Sequence, residues 1–230
     1  MSDLTEKIQR LKKEKNAVIC AHYYVGDSYY LAKIASKVKE DVIVFCGVSF
    51  MGESAKILNP TKTVLMPDPE ADCPMAHMAD PETIKKMREQ YEDLAVVCYV
   101  NSNAVLKACS DVCVTSANAL KIVKELPNKN IYFIPDQHLA SYIAQQAPEK
   151  NILLNPGYCP IHHELSADAV KAEMRRHPDA QVLVHPECPK DVTDLADYAG
   201  STSGILEYAK KSDAEEFIIC TEKGVFHELR

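Results

Sequence analysis

Tyr99-Val100-Asn101-Ser102 followed by Thr115-Ser116-Ala117-Asn118-Ala119-Leu120 returns as His185-Pro186-Glu187-Cys188 followed by Ser201-Thr202-Ser203-Gly204-Ile205-Leu206. Sixteen positions separate Tyr99 from Thr115, and sixteen separate His185 from Ser201. Each segment reads as a strand, a polar strand end, a helix, a turn of small hydroxyl residues and a second helix. A shorter copy opens the chain, where His22-Tyr23-Tyr24 leads to Asp27-Ser28 after only five positions, an 11-residue deficit. The other half of the unit repeats too. Phe45 leads to Cys73 over 28 positions, and Phe133 leads to Cys159 over 26. A third such half starts at Ile219-Cys220 and would reach its own cysteine beyond residue 230. Self-similarity on this scale predicts repeated supersecondary units.

The expected fold is therefore α/β. Three similar αβα units with parallel sheets surround a pseudo-threefold axis: residues 1–72, 73–158 and 159–230, the third incomplete. Strands are expected at Ala17–Ala21, Val42–Gly47, Thr63–Met66, Ala95–Val100, Ile131–Ile134, Asn151–Leu154, Gln181–Val184 and Glu216–Cys220. Helical patterns such as Pro81–Tyr91 and Ala167–Arg176 lie between them, and this alternation implies parallel sheets covered by helices. Parallel sheets bind ligands at the C-terminal ends of their strands. His22, Tyr99 and His185 each end the first strand of a unit, so they are expected to converge on one central site.

Other functions recede on composition. The net charge of −7 argues against nucleic-acid binding. No GxGxxG or P-loop pattern occurs among the seven glycines. The N-terminus lacks an apolar signal region, and no apolar run approaches bilayer length, so a cytoplasmic protein without membrane contact is expected. The charged run Lys7 to Lys15 reads as a solvated helix face.

Nine cysteines in such a chain are a prompt to look for metal chemistry. Cys20, Cys46, Cys98 and Cys220 sit in apolar strands and read as core residues. Cys73 and Cys159 sit on loops before proline, 86 residues apart and without the close partner that zinc sites show. One cysteine per unit suits a cubane iron–sulfur cluster on three ligands, whose open iron acts as a Lewis acid. The competing reading is two unrelated loop thiols.

The motifs Ala21-His22-Tyr23-Tyr24, Phe45-Cys46-Gly47 through Leu58, Ala71-Asp72-Cys73-Pro74-Met75-Ala76, Tyr99-Val100-Asn101-Ser102, Ile134-Pro135-Asp136, Gly157-Tyr158-Cys159-Pro160, His185-Pro186-Glu187-Cys188 and Thr221-Glu222-Lys223-Gly224 stand in one order. In this the chain resembles the quinolinate synthase family over nearly its whole length. The resemblance implies condensation of iminoaspartate with dihydroxyacetone phosphate to quinolinate, in de novo NAD biosynthesis. It implies a [4Fe–4S] cluster bound by Cys73, Cys159 and a third cysteine expected beyond residue 230, and iminoaspartate received from an aspartate-oxidising enzyme. It assigns catalytic roles to Tyr24, His185 and Glu187. It assigns substrate contacts to His22, Ser28, Tyr99, Asn101, Ser116, His162 and Thr202.

These residue types suit the task. Tyr99, Asn101, Ser116 and Thr202 offer neutral hydrogen bonds to carboxylates and phosphate. Ser28, Ser116 and Thr202 precede helices, whose N-termini favour anions. The same serines and threonine also suit plain helix caps. His185 and Glu187 share one extended face and are spaced to relay protons. The family carries an additional segment after His-Tyr-Tyr, which matches the 11-residue deficit. The alternative function is a cluster-free dicarboxylate or phosphate binder without catalysis.

Overall fold

A computed structural model describes residues 3–21 and 28–229, with side chains for all of these except residues 28–30. His22 and Tyr24 lie outside the described residues, as does the side chain of Ser28. The chain divides into two compact units, Met1–Cys73 and Pro74–Arg230.

The first unit holds one parallel sheet of three strands, β1 (Ala17–Ala21), β2 (Val42–Cys46) and β3 (Thr63–Leu65), in that order. The helix Asp3–Glu14 precedes it and buries none of its residues, as the charged run foretold. Helix Ser49–Leu58 follows β2 and buries Phe50, Met51 and Ala55.

The second unit holds two sheets. One has the order β5-β4-β6-β7, from β4 (Leu94–Tyr99), β5 (Val112–Val114), β6 (Asn130–Ile134) and β7 (Asn151–Leu154). The other has the order β10-β8-β9, from β8 (Gln181–Val184), β9 (Tyr198–Ala199) and β10 (Phe217–Cys220). Every strand pair in both is parallel. The three sheets and alternating helices are the expected α/β architecture. All six residues of β4 are buried. That is why the run Leu94-Ala95-Val96-Val97-Cys98-Tyr99 is continuously apolar: a central parallel strand faces helices on both sides.

The sequence repeat returns as repeated hydrogen bonding. The Asp111 carboxylate accepts from the Val96 N–H at 2.7 Å, and the Asp197 carboxylate accepts from the Val182 N–H at 2.7 Å. Both aspartates precede the short edge strand and tie it to its neighbour. Lys62 and Lys150 likewise each donate to two backbone carbonyls, Ala35 and Val38 for the first, Leu126 and Asn128 for the second.

Three differences from the expected elements stand out. The edge strands β5 and β9 were not anticipated, because two or three residues carry no readable period. The strand read as Ala95–Val100 runs one residue earlier, as Leu94–Tyr99. Cys20, Cys98 and Cys220 are buried as expected, but Cys46 is only half-buried, because it shares the partly exposed face of β2 with Val42 and Val44. Among the described residues, no helix is long and apolar enough to cross a membrane.

Candidate active site

The site of the second unit forms where β4, β6 and β8 end. Tyr99 is the last residue of β4, and Asp136 and His185 come just after β6 and β8. Parallel strands bring their carboxyl ends to one edge, so residues far apart in sequence meet there. The Tyr142 hydroxyl helps to join the two sheets by donating to the Ala199 carbonyl at 3.1 Å.

Glu187 is the centre of the cluster and is 2% exposed. Its Oε2 lies 3.0 Å from His162 Nδ1. The Tyr99 hydroxyl donates to the same carboxylate, and Tyr99 also hydrogen-bonds Ser116. The His162 and His185 rings stack with centroids 4.6 Å apart. His162 Nδ1 is also 3.1 Å from Cys159 Sγ, and its Nε2 is 3.0 Å from Thr221 Oγ1. The Glu187 N–H donates to His185 Nδ1 at 3.3 Å. That nitrogen is thus an acceptor, and the ring proton belongs on Nε2.

Electrostatics follow from burial. Desolvation would push the Glu187 carboxyl up, but His185 and His162 beside it, with hydrogen bonds from His162 and Tyr99, outweigh this and hold it low. Burial drives His185 down to about 4, even though Glu187 pulls the other way. Burial, then the Glu187 charge, push the Tyr99 phenol well up. The site therefore holds an ionised carboxylate, a neutral imidazole and a neutral phenol at pH 7.

A stability window follows. An unfolded histidine titrates near 6.5 and the folded His185 near 4. Between these values the unfolded chain takes up a proton that the folded chain refuses. This contribution is thus complete above about 6.5 and is lost as pH falls towards about 4. The contribution of Glu187 is lost lower, between about 4.5 and about 2. Denaturant midpoints measured from pH 7 to about 4 should fall for the natural sequence, and His185→Gln should flatten that slope.

Asp136 was not among the expected site residues, yet it organises the cysteine loop. Fully buried, it caps helix Gln137–Gln146 through the Leu139 N–H and accepts from the Cys159 N–H at 3.0 Å. Burial and the Glu187 charge push its carboxyl up to about 8, against those N–H donors and that of His138. It stood in the motif Ile134-Pro135-Asp136 without a role of its own, because its bond to Cys159 joins residues 23 positions apart. Thr221 was missed as well, for want of any sign that it would meet His162.

The loop itself is built on close approach. Asn155 donates to the carbonyls of Met78 and Pro135, both at 2.7 Å, and accepts from the Tyr132 hydroxyl. Gly157 lies against Pro135, where an added Cβ would sit 2.6 Å from the Pro135 oxygen and 2.7 Å from Met78 Cβ. Gly157→Ala should therefore cost about 1–3 kcal/mol, read as a lowered denaturation midpoint, and should displace the loop that carries Cys159.

The remaining expected residues divide. Asn101 and Thr202 are half-buried, and no described contact joins either to the cluster. Ser201, not Thr202, caps helix Thr202–Lys211. Ser116 bonds Tyr99 rather than capping, and Asn118 occupies the cap position of the helix that follows. Cys73 is half-buried at the end of the first unit.

Cys159 Sγ, His162 and Glu187 offer three ligand atoms within 4.8 Å of one another. Burial and Glu187 push the Cys159 thiol far up. A thiolate here would be buried beside a carboxylate, an arrangement that a metal cation would stabilise and that a proton otherwise relieves. The donor set fits a thiophilic metal.

The family model described as Quinolinate synthetase A protein matches residues 6–230. The chain belongs to this family. The quinolinate synthase of Clostridioides difficile (strain 630) is 52% identical over 239 residues, 99% of this chain and 79% of the relative. That of Fusobacterium nucleatum is 53% identical, across 98% of this chain and 79% of the relative. That of Sulfurihydrogenibium sp. (strain YO3AOP1) is 51% identical, across 100% and 78%. An aligned length of 239 against 230 residues means that the first relative has at least nine residues without a counterpart here. This accords in size with the 11-residue deficit of the first repeat. Quinolinate synthetase A membership also explains why the expected motifs and the buried cluster coincide: Tyr99, Cys159, His185 and Glu187 all come from motifs that carried the resemblance.

Proposed function

We propose that the chain is a quinolinate synthase, joining iminoaspartate to dihydroxyacetone phosphate with loss of water and phosphate. The observation that carries this reading is the buried Tyr99–Glu187–His162–His185 cluster beside Cys159. Ring formation from these substrates needs repeated proton transfers in a site that excludes water. An ionised carboxylate touching a phenol and an imidazole is equipped for that.

Glu187 is the proton acceptor of this scheme. Tyr99 and His162 return protons along the hydrogen bonds they already make to it. The neutral His185 keeps its Nε2 proton available to a substrate oxygen. Ser116, Asn101 and Thr202 offer hydrogen bonds to carboxylate and phosphate oxygens, and the family resemblance adds Tyr24 as a catalytic residue and His22 and Ser28 as substrate contacts. On the family resemblance, Cys73 and Cys159 would hold a [4Fe–4S] cluster together with a third cysteine expected beyond residue 230. When bound, the cluster supplies an open iron as Lewis acid. Asp136 orients the Cys159 backbone for that task. The reading includes an aspartate-oxidising enzyme as the source of iminoaspartate, and a cytoplasmic location.

The test is iron, acid-labile sulfide and quinolinate formation in anaerobically purified protein. About four iron and four sulfide per chain, with quinolinate formed, is the expected result. A folded protein with neither, which still binds dicarboxylates, would instead be the cluster-free binder.

A further inference from the structure

Two cysteines away from the loop of Cys159 face each other across strands. Cys98 of β4 and Cys113 of β5 are register partners in the parallel ladder, so their side chains leave the same face of the sheet. The two thiols lie within hydrogen-bonding reach of each other, and Cys98 Sγ can also donate to the Tyr99 carbonyl at 3.4 Å. Adjacent strands lie ~4.8 Å apart, inside the ~4.4–6.8 Å between Cα atoms that a disulfide spans.

The two thiols differ in access. β5 is the edge strand of its sheet, and Cys113 is exposed on it. Cys98 is 0% exposed and packs among Ile84, Leu106, Tyr132 and Ile134. A reagent from solution meets the first and is screened from the second. We propose that Cys113 and Cys98 form a thiol–disulfide exchange site for low-molecular-weight disulfides, with Cys113 as the attacking sulfur and Cys98 as the resolving one.

The chemistry balances without another reactant. The Cys113 thiolate attacks one sulfur of the small disulfide, breaks its S–S bond and releases one thiol. The Cys98 sulfur, on losing its proton, then attacks Cys113, and the second small thiol leaves. The two protein thiols are oxidised, and one small disulfide is reduced to two thiols. The contact with Cys98, with help from Lys107, brings the Cys113 thiol down to about 7 against partial desolvation, and the same contact, with burial, raises the Cys98 thiol. That puts a substantial thiolate fraction at neutral pH.

Closing the bridge must draw the Cβ atoms to ~3.8 Å, nearer than register partners in a ladder stand. A strained bond of this kind is easily reduced, so the exchange is reversible. It would sit one residue before Tyr99 and three before Ser116.

The experiment uses the full chain, purified anaerobically with its native metal content and exposed to glutathione disulfide. The reaction is stopped with acid, remaining thiols are alkylated in denaturant, and peptides are mapped by mass. The expected product is one cross-linked peptide pair joining Cys98 to Cys113. Cys98→Ala should instead accumulate a glutathione mixed disulfide on Cys113. Cys113→Ser should leave Cys98 unmodified. Full alkylation of both cysteines in the natural chain would overturn the proposal. So would a mixed disulfide that persists on Cys113 with Cys98 present, or a bridge from Cys113 to the nearby half-buried Cys109. The natural chain decides the matter by itself if a variant fails to fold.

Discussion

Cys159→Ser should purify without iron or acid-labile sulfide, whereas Cys98→Ser should retain both. The contrast separates a cysteine proposed as a cluster ligand from one outside the ligand set. Cys159 Sγ is half-buried on a loop, beside His162 Nδ1 at 3.1 Å, and its N–H is fixed by Asp136. A serine there keeps the loop but removes the soft ligand that iron–sulfur clusters require. Cys98 lies inside an apolar cluster of the β5-β4-β6-β7 sheet, where serine costs some stability and no ligand. The measurement is iron and sulfide per chain after anaerobic purification. Full iron and sulfide in the Cys159 variant would remove this residue from the ligand set. The mutation should leave melting of the metal-free protein almost unchanged, because that thiol is then protonated and, among the described residues, bonded to Glu187 and His162.

Glu187→Gln should lower kcat/KM for quinolinate formation by about 10²–10⁴-fold while the protein stays folded. Glutamine keeps the volume and can still accept the Tyr99 hydrogen bond. It cannot take up a proton, and it cannot hold its neighbours by charge. One consequence is readable apart from activity. Asp136 is pushed up in part by the Glu187 charge, so the variant should bring the Asp136 carboxyl back towards its ordinary range, observable by carboxyl NMR titration. Glu187→Ala differs in kind. It removes the acceptor shared by the Tyr99 hydroxyl and the His162 N–H, leaving them only Ser116 and Cys159 Sγ among their described partners, at a cost of up to about 1–3 kcal/mol for each group that stays unpaired. Loss of activity in the alanine variant alone, with the glutamine variant fully active, would count against Glu187 as the proton acceptor.

Much of the fold was legible because repeats and apolar strands are local signals. The strand read as Ala95–Val100, one residue later than it runs, needed only its continuous apolar character, and the match of Tyr99 to His185 needed only counting. Edge strands β5 and β9 were illegible because each is fixed by an aspartate reaching back 15 residues to a strand N–H. Such a bond has no local pattern. In the site, Tyr99, His185 and Glu187 could be picked out as strand-end polar residues in motifs. Asp136 stood in such a motif without a role, since its bond to the Cys159 N–H joins loops 23 positions apart.

By itself the sequence determined the α/β class, the repeat, the family and the motif residues, because each depends on spacing along the chain. Only the tertiary structure decided which of those residues touch. It stacked His162 on His185, put Glu187 within reach of Tyr99 and His162, and set Asp136 under the cysteine loop. It also paired Cys98 with Cys113, which requires β4 and β5 to adopt one register out of several. These are contacts between strand ends and loops distant in sequence. Packing of parallel strands brings them together, and burial then sets their protonation.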